Sequence, residues 1–393
     1  MNNNAKTIAV FFGGKSPEHD VSIISALVNV IPSLKLLGHT VVPVYIAKNG
    51  DWFSAPELTD IKTYQTGKID EIVAKSPLLK FSVNNGLTFF QRGKINDKPI
   101  KIDIAFPVMH GSYGEDGSLM GLLRMANVPF VGCDMDASVI AMNKTLAKIV
   151  ATNAGVLTPK FLSFRSTEFT DEKSRAAMVK KIDAELKYPL FVKPPHLGSS
   201  IGISKVNDKK DLANALEVAA HYDNEILVEE GVENLIEITV PITGENDNPM
   251  PSLPERPLKL SDEVFDFESK YLGQGGKNGS AKNGKSGAQG YSEIPAKLPK
   301  KLYDECIEIA KKVYSSLGLS GISRVDLLID SKSKKVYFNE VNPMPGSLYA
   351  HNFAAAGISN VDLVKKLLEF AEADFTKRNA AKITFESSFL KQF

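Results

Sequence analysis

Cysteine is scarce in this chain: two among 393 residues, Cys133 and Cys306, far apart and outside any CxxC spacing. That excludes a disulfide framework and a thiolate zinc site, and predicts two packed thiols. An excess of charge of one sign is missing as well. Lys and Arg number 47 against 46 Asp and Glu, so neither the basic field of a nucleic-acid binder nor that of a membrane-surface protein is present. No apolar run approaches the ~18 residues that a membrane span requires. The run that follows the polar first residues is also too short for a signal h-region. These absences leave a soluble cytoplasmic enzyme acting on small molecules, with no nucleic-acid or membrane partner. A chain of 393 residues is too long for one ordinary domain and predicts two or three, each burying a core of its own.

What is present alternates. The run TIAVFF stops at Gly13-Gly14, and Ser16-Pro17-Glu18 then offers an N-cap, an N1 proline and an early acid for a helix over 22–37. HTVVPVYIA reads as a second strand and IDIAFPVMHG as a later one. Strand–helix alternation predicts a parallel α/β sheet with ligands at the carboxyl ends of its strands. From about 141 the pattern becomes α+β. A helix AMNKTLAKIVATNAG leads to strands YPLFVKP and IGISKV, a helix DLANALEVAAHY and a strand EILVEEGV. A long polar stretch follows, then a helix KLYDECIEIAKKVYSSLG, paired strands SRVDLLID and KVYFNEVN, and a closing helix VDLVKKLLEFAEA. The predicted domains are 1–140, 141–240 and 241–393. Residues 273–290, GQGGKNGSAKNGKSGAQG, hold three lysines, no acid and almost nothing apolar, so they cannot pack a core. A mobile lid over about 272–292, whose charge draws in a polyphosphate, is the functional expectation there.

The chemistry concentrates at Arg324, Asp326, Glu340 and Asn342. Two-residue spacing puts Arg324 with Asp326, and Glu340 with Asn342, on one face of each strand, and pairing of the strands would make all four converge. Two carboxylates and an amide oxygen are hard ligands suited to Mg²⁺ that also holds phosphate oxygens, and an adjacent arginine stabilises charge on a transferred group. A cross-strand salt bridge beside an exposed asparagine is the plainer alternative. In KPPHLGSSIG, Lys193 leaves a strand as a point charge, and Gly198-Ser199-Ser200 offers backbone N–H groups and hydroxyls that suit a loop over phosphates. Lys144, early in its helix, is a phosphate ligand or a solvated lysine. In ILVEEGV an apolar strand runs into Glu229-Glu230, a strand exit able to meet an adenine edge or simply an acidic turn. Lys270 and Tyr271, in VFDFESKYL, stand at the mouth of the low-complexity segment, where a closing lid would carry them into the site.

Together these segments resemble the D-alanine:D-alanine ligases of the ATP-grasp superfamily over nearly the whole chain. The matching stretches are FFGGKSPEHDVSIISA, MHGSYGEDGSLMGLL, AMNKTLAK, FVKPPHLGSSIGISKV, ILVEEGVENLIEITV, FDFESKY, SRVDLLID and FNEVNPMPGS, in order and at matching spacing. The resemblance implies an ATP-grasp fold behind an N-terminal Rossmann-like domain, and a homodimer. It implies synthesis of D-alanyl-D-alanine for peptidoglycan from two D-alanines and ATP, with two Mg²⁺ ions for which Mn²⁺ can substitute. By the same resemblance Lys144 and Lys193 hold ATP phosphates, the role that the residue pattern itself offers to Ser199 and Ser200, and Glu229, Glu230, Val232 and Glu237 surround the adenosine. Asp326, Glu340 and Asn342 bind the metal ions, with Glu340 bridging. Glu18 takes the ammonium of the first D-alanine and His110 lies near its carboxylate. Ser199 and Tyr271 link to Glu18 on closure, Lys270 reaches the γ-phosphate, and Arg324 with the Gly346 N–H forms an oxyanion hole.

The chain departs from the family pattern at His351, in NPMPGSLYAHNF, where a serine usually helps hold the acceptor's carboxylate. A neutral imidazole donates one hydrogen bond there and a protonated one adds charge, so the acceptor and its pH dependence are the open point. Tyr271 argues for D-alanine, since ligases accepting D-lactate carry a different residue at that lid position. Asn143 and Met120, in place of the more usual aspartate and glutamine, are peripheral departures. The competing expectations are a ligase joining D-alanine to D-serine or another small D-amino acid, and a nucleotide-binding sensor without turnover.

Overall fold

The computed structural model describes residues 5–91, 98–168, 171–258, 292–382 and 387–393. The N-terminal sheet is built on β1 (Thr7–Gly13), apolar almost throughout and buried on both faces as a central parallel strand must be. It pairs in parallel with β2 (Thr40–Ile46) on one side and with β7 (Ile104–Pro107) on the other. The short β3 (Trp52–Phe53) adds antiparallel at the edge, giving the order β3-β2-β1-β7. The single strand expected over IDIAFPVMHG is interrupted at Asp103, whose carboxylate accepts from Thr7 N at 2.8 Å. Before it, β6 (Lys98–Ile102) belongs to a separate antiparallel sheet with β4 (Lys80–Ser82) and β5 (Leu87–Gln91).

The first helix begins later than its predicted cap. Ser16 Oγ accepts from Glu18 N at 3.1 Å inside a turn, and α1 runs from His19 to Ile24. It continues through a wide π-helical turn, Ser25–Val30, into α2 (Ile31–Leu36). Pro32 has no N–H to return to the previous turn, a physical reason for the local widening. Two short helices, α3 (Ile61–Gln65) and α4 (Lys68–Lys75), and then α5 (Ser118–Met125) complete this part.

The helix expected over AMNKTLAKIVATNAG is two helices. α6 (Met135–Met142) stops where Asn143 goes extended, and α7 (Lys144–Asn153) starts with Asn143 Oδ1 accepting from Thr145 N and Leu146 N at 2.9 and 3.0 Å. A side chain that caps two orphan amides favours a break over continuation. The next sheet, order β10-β9-β11-β8, is antiparallel at every pairing, from β8 (Phe161–Arg165), β9 (Leu190–Lys193), β10 (Ser204–Val206) and β11 (Glu225–Glu230). Helices α8 (Glu172–Glu185) and α9 (Leu212–Tyr222) cover one of its faces.

The third sheet has the order β13-β12-β16-β17, from β12 (Leu235–Glu245), β13 (Asn248–Pro251), β16 (Gly321–Asp330) and β17 (Val336–Asn342). A two-stranded ribbon, β14 (Arg256–Pro257) and β15 (Ser292–Glu293), lies beside it. α10 (Lys300–Ser316) packs its apolar stripe on this sheet together with α6 and α7, and both cysteines are buried, free thiols in that core. α11 (Ala350–Ala355) and α12 (Asn360–Ala380) close the fold. Leu363, Val364, Leu367 and Leu368 of α12 lie in one cluster with Ile8, Val10 and Phe106 of the first sheet. The positions 140 and 240, taken from sequence as boundaries, fall inside α6 and β12. Lys270, Tyr271 and all but the last residue of the expected lid lie outside the described residues. Among the described residues no helix is long and apolar enough to cross a membrane.

Candidate active site

Three groups of side chains meet where the sheets approach one another. The first surrounds Glu18. Gly13-Gly14 ends β1, and a Cβ at Gly13, φ +87°, would stand 2.3 Å from Ile46 O, so glycine is needed for this exit. The exit is pinned by Ser22 Oγ, which accepts from Gly13 N and donates to Val108 O, each at 2.9 Å. Glu18 then faces the loop 194–202, where Ser199 Oγ donates to its carboxylate at 2.5 Å. Ser199 and Ser200 both adopt left-handed backbone, φ 52° and 60°, a conformation costly for side-chain-bearing residues and concentrated at functional loops. A cleft between these parts is lined by Ser16, Pro17, Glu18, Gly111, Ser112, His196, Leu197, Gly198 and Ile201.

His110 and Glu115 support this wall from beneath. His110 Nδ1 lies 2.9 Å from Met344 O, which can only accept, so Nδ1 carries the hydrogen. Nε2 lies 2.9 Å from Ser25 Oγ, which donates to Val21 O at 2.9 Å and accepts from Ser347 N at 2.8 Å. Burial holds the imidazole below its ordinary pKa. Glu115, not singled out in the sequence, accepts from Gly111 N at 2.7 Å and Met344 N at 2.9 Å. Burial, with Glu18 adding to it, pushes its carboxyl up to about 8. Its only sequence signal was membership of MHGSYGEDGS, which assigns no role to any one acid.

The second group is a buried charge cluster. Glu229 is 2% exposed and forms ion pairs with Lys193 and, at 2.9 Å, with Lys148. Burial alone would push the Glu229 carboxyl up, but the two ammonium groups more than offset it and hold it below its ordinary value. Lys148 was also missed by sequence reading. Its signal was the four-residue spacing from Lys144, which places both ammonium groups on one helical face. Lys144 is buried too, donating to Leu197 O at 2.7 Å and lying 3.2 Å from a Glu340 carboxylate oxygen. The solvated alternative for it is thereby excluded. Adjacent residues of a strand point to opposite faces, so Glu230 does not join Glu229. Its carboxylate accepts from Lys187 N at 3.0 Å instead. Val232 is half-buried in the turn after β11, and Glu237 lies on β12 two residues from Thr239, on the same face as Asp326.

The third group is the predicted strand pair. β16 and β17 run antiparallel with Arg324 opposite Asn342 and Asp326 opposite Glu340. An irregularity in the ladder leaves Asn339 as an extra residue between the Phe338 and Glu340 pairings. Strict alternation from buried Phe338 would aim Glu340 at the core, and the bulge turns it to the open face beside Asp326. Arg324 forks onto Asp326 at 2.9 and 2.6 Å, and Thr239 Oγ1 donates to Asp326 at 3.1 Å. Among the described residues no three of His, Cys, Asp and Glu gather as a metal cage. Two carboxylates and one amide match the sparse protein ligation of Mg²⁺, whose other ligands are phosphate and water oxygens. Their oxygens are held by displaceable cations, Arg324 and Lys144, so the donor set fits the ion.

Beyond Asn342 the chain turns through Gly346 into Ser347, Leu348 and Tyr349, all left-handed. This brings the Tyr349 ring under the Arg324 guanidinium at 5.3 Å and beside His351, with centroids 4.9 Å apart. His351 Nε2 is 3.3 Å from the buried carboxylate of Glu255.

The sequence profile described as the D-ala D-ala ligase N-terminus matches residues 7–133, and that of the D-ala D-ala ligase C-terminus matches 150–369. A D-alanine–D-alanine ligase of Chlorobium limicola is 38% identical, the alignment covering 93% of this chain and 97% of that protein. Its counterpart from Chloroherpeton thalassium is 34% identical over 97% of this chain and 100% of its own. Among solved structures, the VanG D-Ala:D-Ser ligase of Enterococcus faecalis superposes with a TM-score of 0.76 at 31% identity, covering 94% of this chain and 100% of that one. The D-alanine–D-alanine ligase of Coxiella burnetii, at 23% identity and TM-score 0.75, covers 96% of each chain and shares the fold. With both halves matched and relatives aligned end to end, the chain belongs to the D-alanine–D-alanine ligase family of ATP-dependent ligases.

Proposed function

We propose that this protein joins two D-alanines into D-alanyl-D-alanine at the expense of ATP, through a D-alanyl phosphate, in the cytoplasm and as a homodimer. The observation that carries the reading is the open face of β16 and β17, where Arg324, Asp326, Glu340 and Asn342 converge next to buried Lys144. Asp326, Glu340 and Asn342 would hold magnesium, two ions by family resemblance. Bound there, it screens the negative charge of the ATP phosphates.

This chain's residues supply the rest. Glu18 orients the ammonium of the first D-alanine, so that its carboxylate oxygen can attack the γ-phosphorus and release ADP. Lys144 and Lys193 exchange their present carboxylate partners for phosphates, and Ser199 and Ser200 close over them. Glu229, Val232 and Glu237 face the adenosine, while Glu230 contributes only its backbone there. The amine of the second amino acid then attacks the acyl carbon, the oxyanion is met by Arg324 and the Gly346 N–H, and phosphate leaves. Lys270 at the γ-phosphate and Tyr271 at Glu18 complete the site as the resemblance implies. Water must be kept from the acyl phosphate, a purpose that a closed loop serves.

D-Serine is the second reading for the acceptor. It is favoured by the His351–Glu255 pair, which offers hydrogen-bonding groups to a hydroxyl across the Tyr349 ring from Arg324. The test is a mixed-acceptor incubation of the purified protein with ATP, Mg²⁺, labelled D-alanine, D-serine and D-lactate, followed by mass spectrometry and ADP release. D-Alanyl-D-alanine in excess with one ADP per dipeptide is the expected result. D-Alanyl-D-serine in excess transfers the assignment to the second reading, and no ADP with any substrate overturns both in favour of a nucleotide-binding sensor.

A further inference from the structure

The loop 194–202 brings Ser199 to Glu18 and Leu197 O to Lys144, so whatever fixes this loop fixes two parts of the site at once. His196 stands in it between two fixed anchors. Its backbone N–H donates to Asp223 Oδ2 at 2.9 Å, its Nδ1 lies 3.0 Å from the same carboxylate, and its Nε2 lies 3.0 Å from Asn143 Nδ2.

The hydrogens follow by elimination. Asn143 Oδ1 accepts from Thr145 N and Leu146 N, so the amide cannot be turned around without losing both caps of α7. Nδ2 therefore faces outward as a donor, giving one hydrogen to Glu225 Oε2 at 3.0 Å and the other to His196 Nε2. Asp223 takes the Nδ1 hydrogen. The neutral imidazole satisfies every one of these demands. An imidazolium does not, because its Nε2–H would point at an amide hydrogen.

The charged groups facing His196 are Asp223 after α9, Glu225 on β11 and Lys144 on α7. Glu225 is no ready substitute acceptor, since it already holds Asn143 and, at 3.1 Å, Arg165. We infer that His196 is a positioning residue, which adds a third tie between the 194–202 loop and the start of α7, beside Lys144 N to Pro195 O at 3.1 Å and Lys144 Nζ to Leu197 O at 2.7 Å, while its imidazole is neutral, and which loses that tie when the imidazole takes up a proton. The hydrogen bond to Asp223 holds the imidazole above its ordinary pKa, which moves the release toward neutral pH. The clamp stands on hydrogen-bond chemistry alone, and its effect on nucleotide binding rests on the phosphate role proposed above.

The test is amide hydrogen exchange of the 194–202 segment in the full-length protein, corrected for intrinsic rates, from about pH 5.5 to 8.5, with MgADP affinity measured by calorimetry in parallel. In the wild type, protection is expected to fall about fivefold on the acid side, the worth of one net hydrogen bond. Asn143→Asp keeps the helix cap and accepts from the imidazolium Nε2–H, so its protection does not fall on the acid side. His196→Asn is flat with pH and guards against a folding defect in the first variant. A flat wild type, or an equal acid-side fall in Asn143→Asp, overturns the clamp. A fall in protection that MgADP affinity follows supports both the clamp and the loop's phosphate role. The same fall with unchanged MgADP affinity leaves the clamp supported and removes the phosphate role.

Discussion

Lys148 shows how a residue with no role assigned from sequence becomes central once the chain is folded. Its ammonium is fully buried, pairs with Glu229, and burial holds its pKa below the ordinary lysine value. Replacing it by a neutral residue of similar length leaves Glu229 with Lys193 as its remaining ammonium partner. Lys148→Met is therefore expected to lower unfolding free energy by about 3 kcal/mol, the lower end of the cost of breaking a buried pair. Denaturant unfolding checks this, and an unchanged midpoint would mean that the pair contributes nothing net. Sequence reading weighed Lys144 and Lys193 and passed over Lys148, which shares the stretch AMNKTLAK with Lys144, because nothing local distinguishes a buried lysine from a solvated one. Glu230 is the converse case, since its position beside Glu229 in the text becomes the opposite face of the strand.

At the scale of elements, the strands and the longer helices were legible because their periodicity is strong, and the departures at Pro32, Asp103, Asn143 and Asn339 come from single residues or a bulge. Asn143 splits one predicted helix by capping the next, and Asp103 splits one predicted strand by bonding across to β1. The bulge at Asn339 decides which way Glu340 points, and no two-residue alternation in the text contains it. The turn after β1 is legible in its glycines and demanding in its geometry. Gly13→Ala would press a Cβ against Ile46 O at a left-handed φ. The expected loss is about 2–3 kcal/mol, of the order of other strained backbone sites, together with a raised KM for D-alanine, because Glu18 follows from that turn. Thermal unfolding and initial-rate kinetics measure the two effects, and an unshifted transition would sink the argument.

For the whole molecule, the first sheet does not own its core. Leu363, Val364, Leu367, Leu368 and Ala371 of α12 share a cluster with Ile8, Val10, Ile31 and Phe106. Polar ties repeat the connection: His110 and Glu115 to Met344, Ser25 to Ser347, and Asn360 to Asn29 and Ser33. A fragment ending at residue 140 would expose the apolar face that α12 covers. It is expected to bind a hydrophobic dye and melt without a sharp transition, whereas the full chain loses both parts together. A sharply melting, dye-negative fragment would refute this coupling.

The amino-acid sequence by itself determined the class of fold, the order of its elements and the residue types of the site. Those follow from periodicity, from turn chemistry, and from carboxylate, amide, lysine and glycine patterns that act over a few neighbours. The tertiary structure alone decided which of those residues meet. Lys148 reaches Glu229, His110 reaches Met344 and His351 reaches Glu255 across tens to hundreds of positions in the chain. Such pairings are selected by packing and by the cost of leaving a buried charge or hydrogen-bonding group without a partner, and that cost exists only after the sheets have come together.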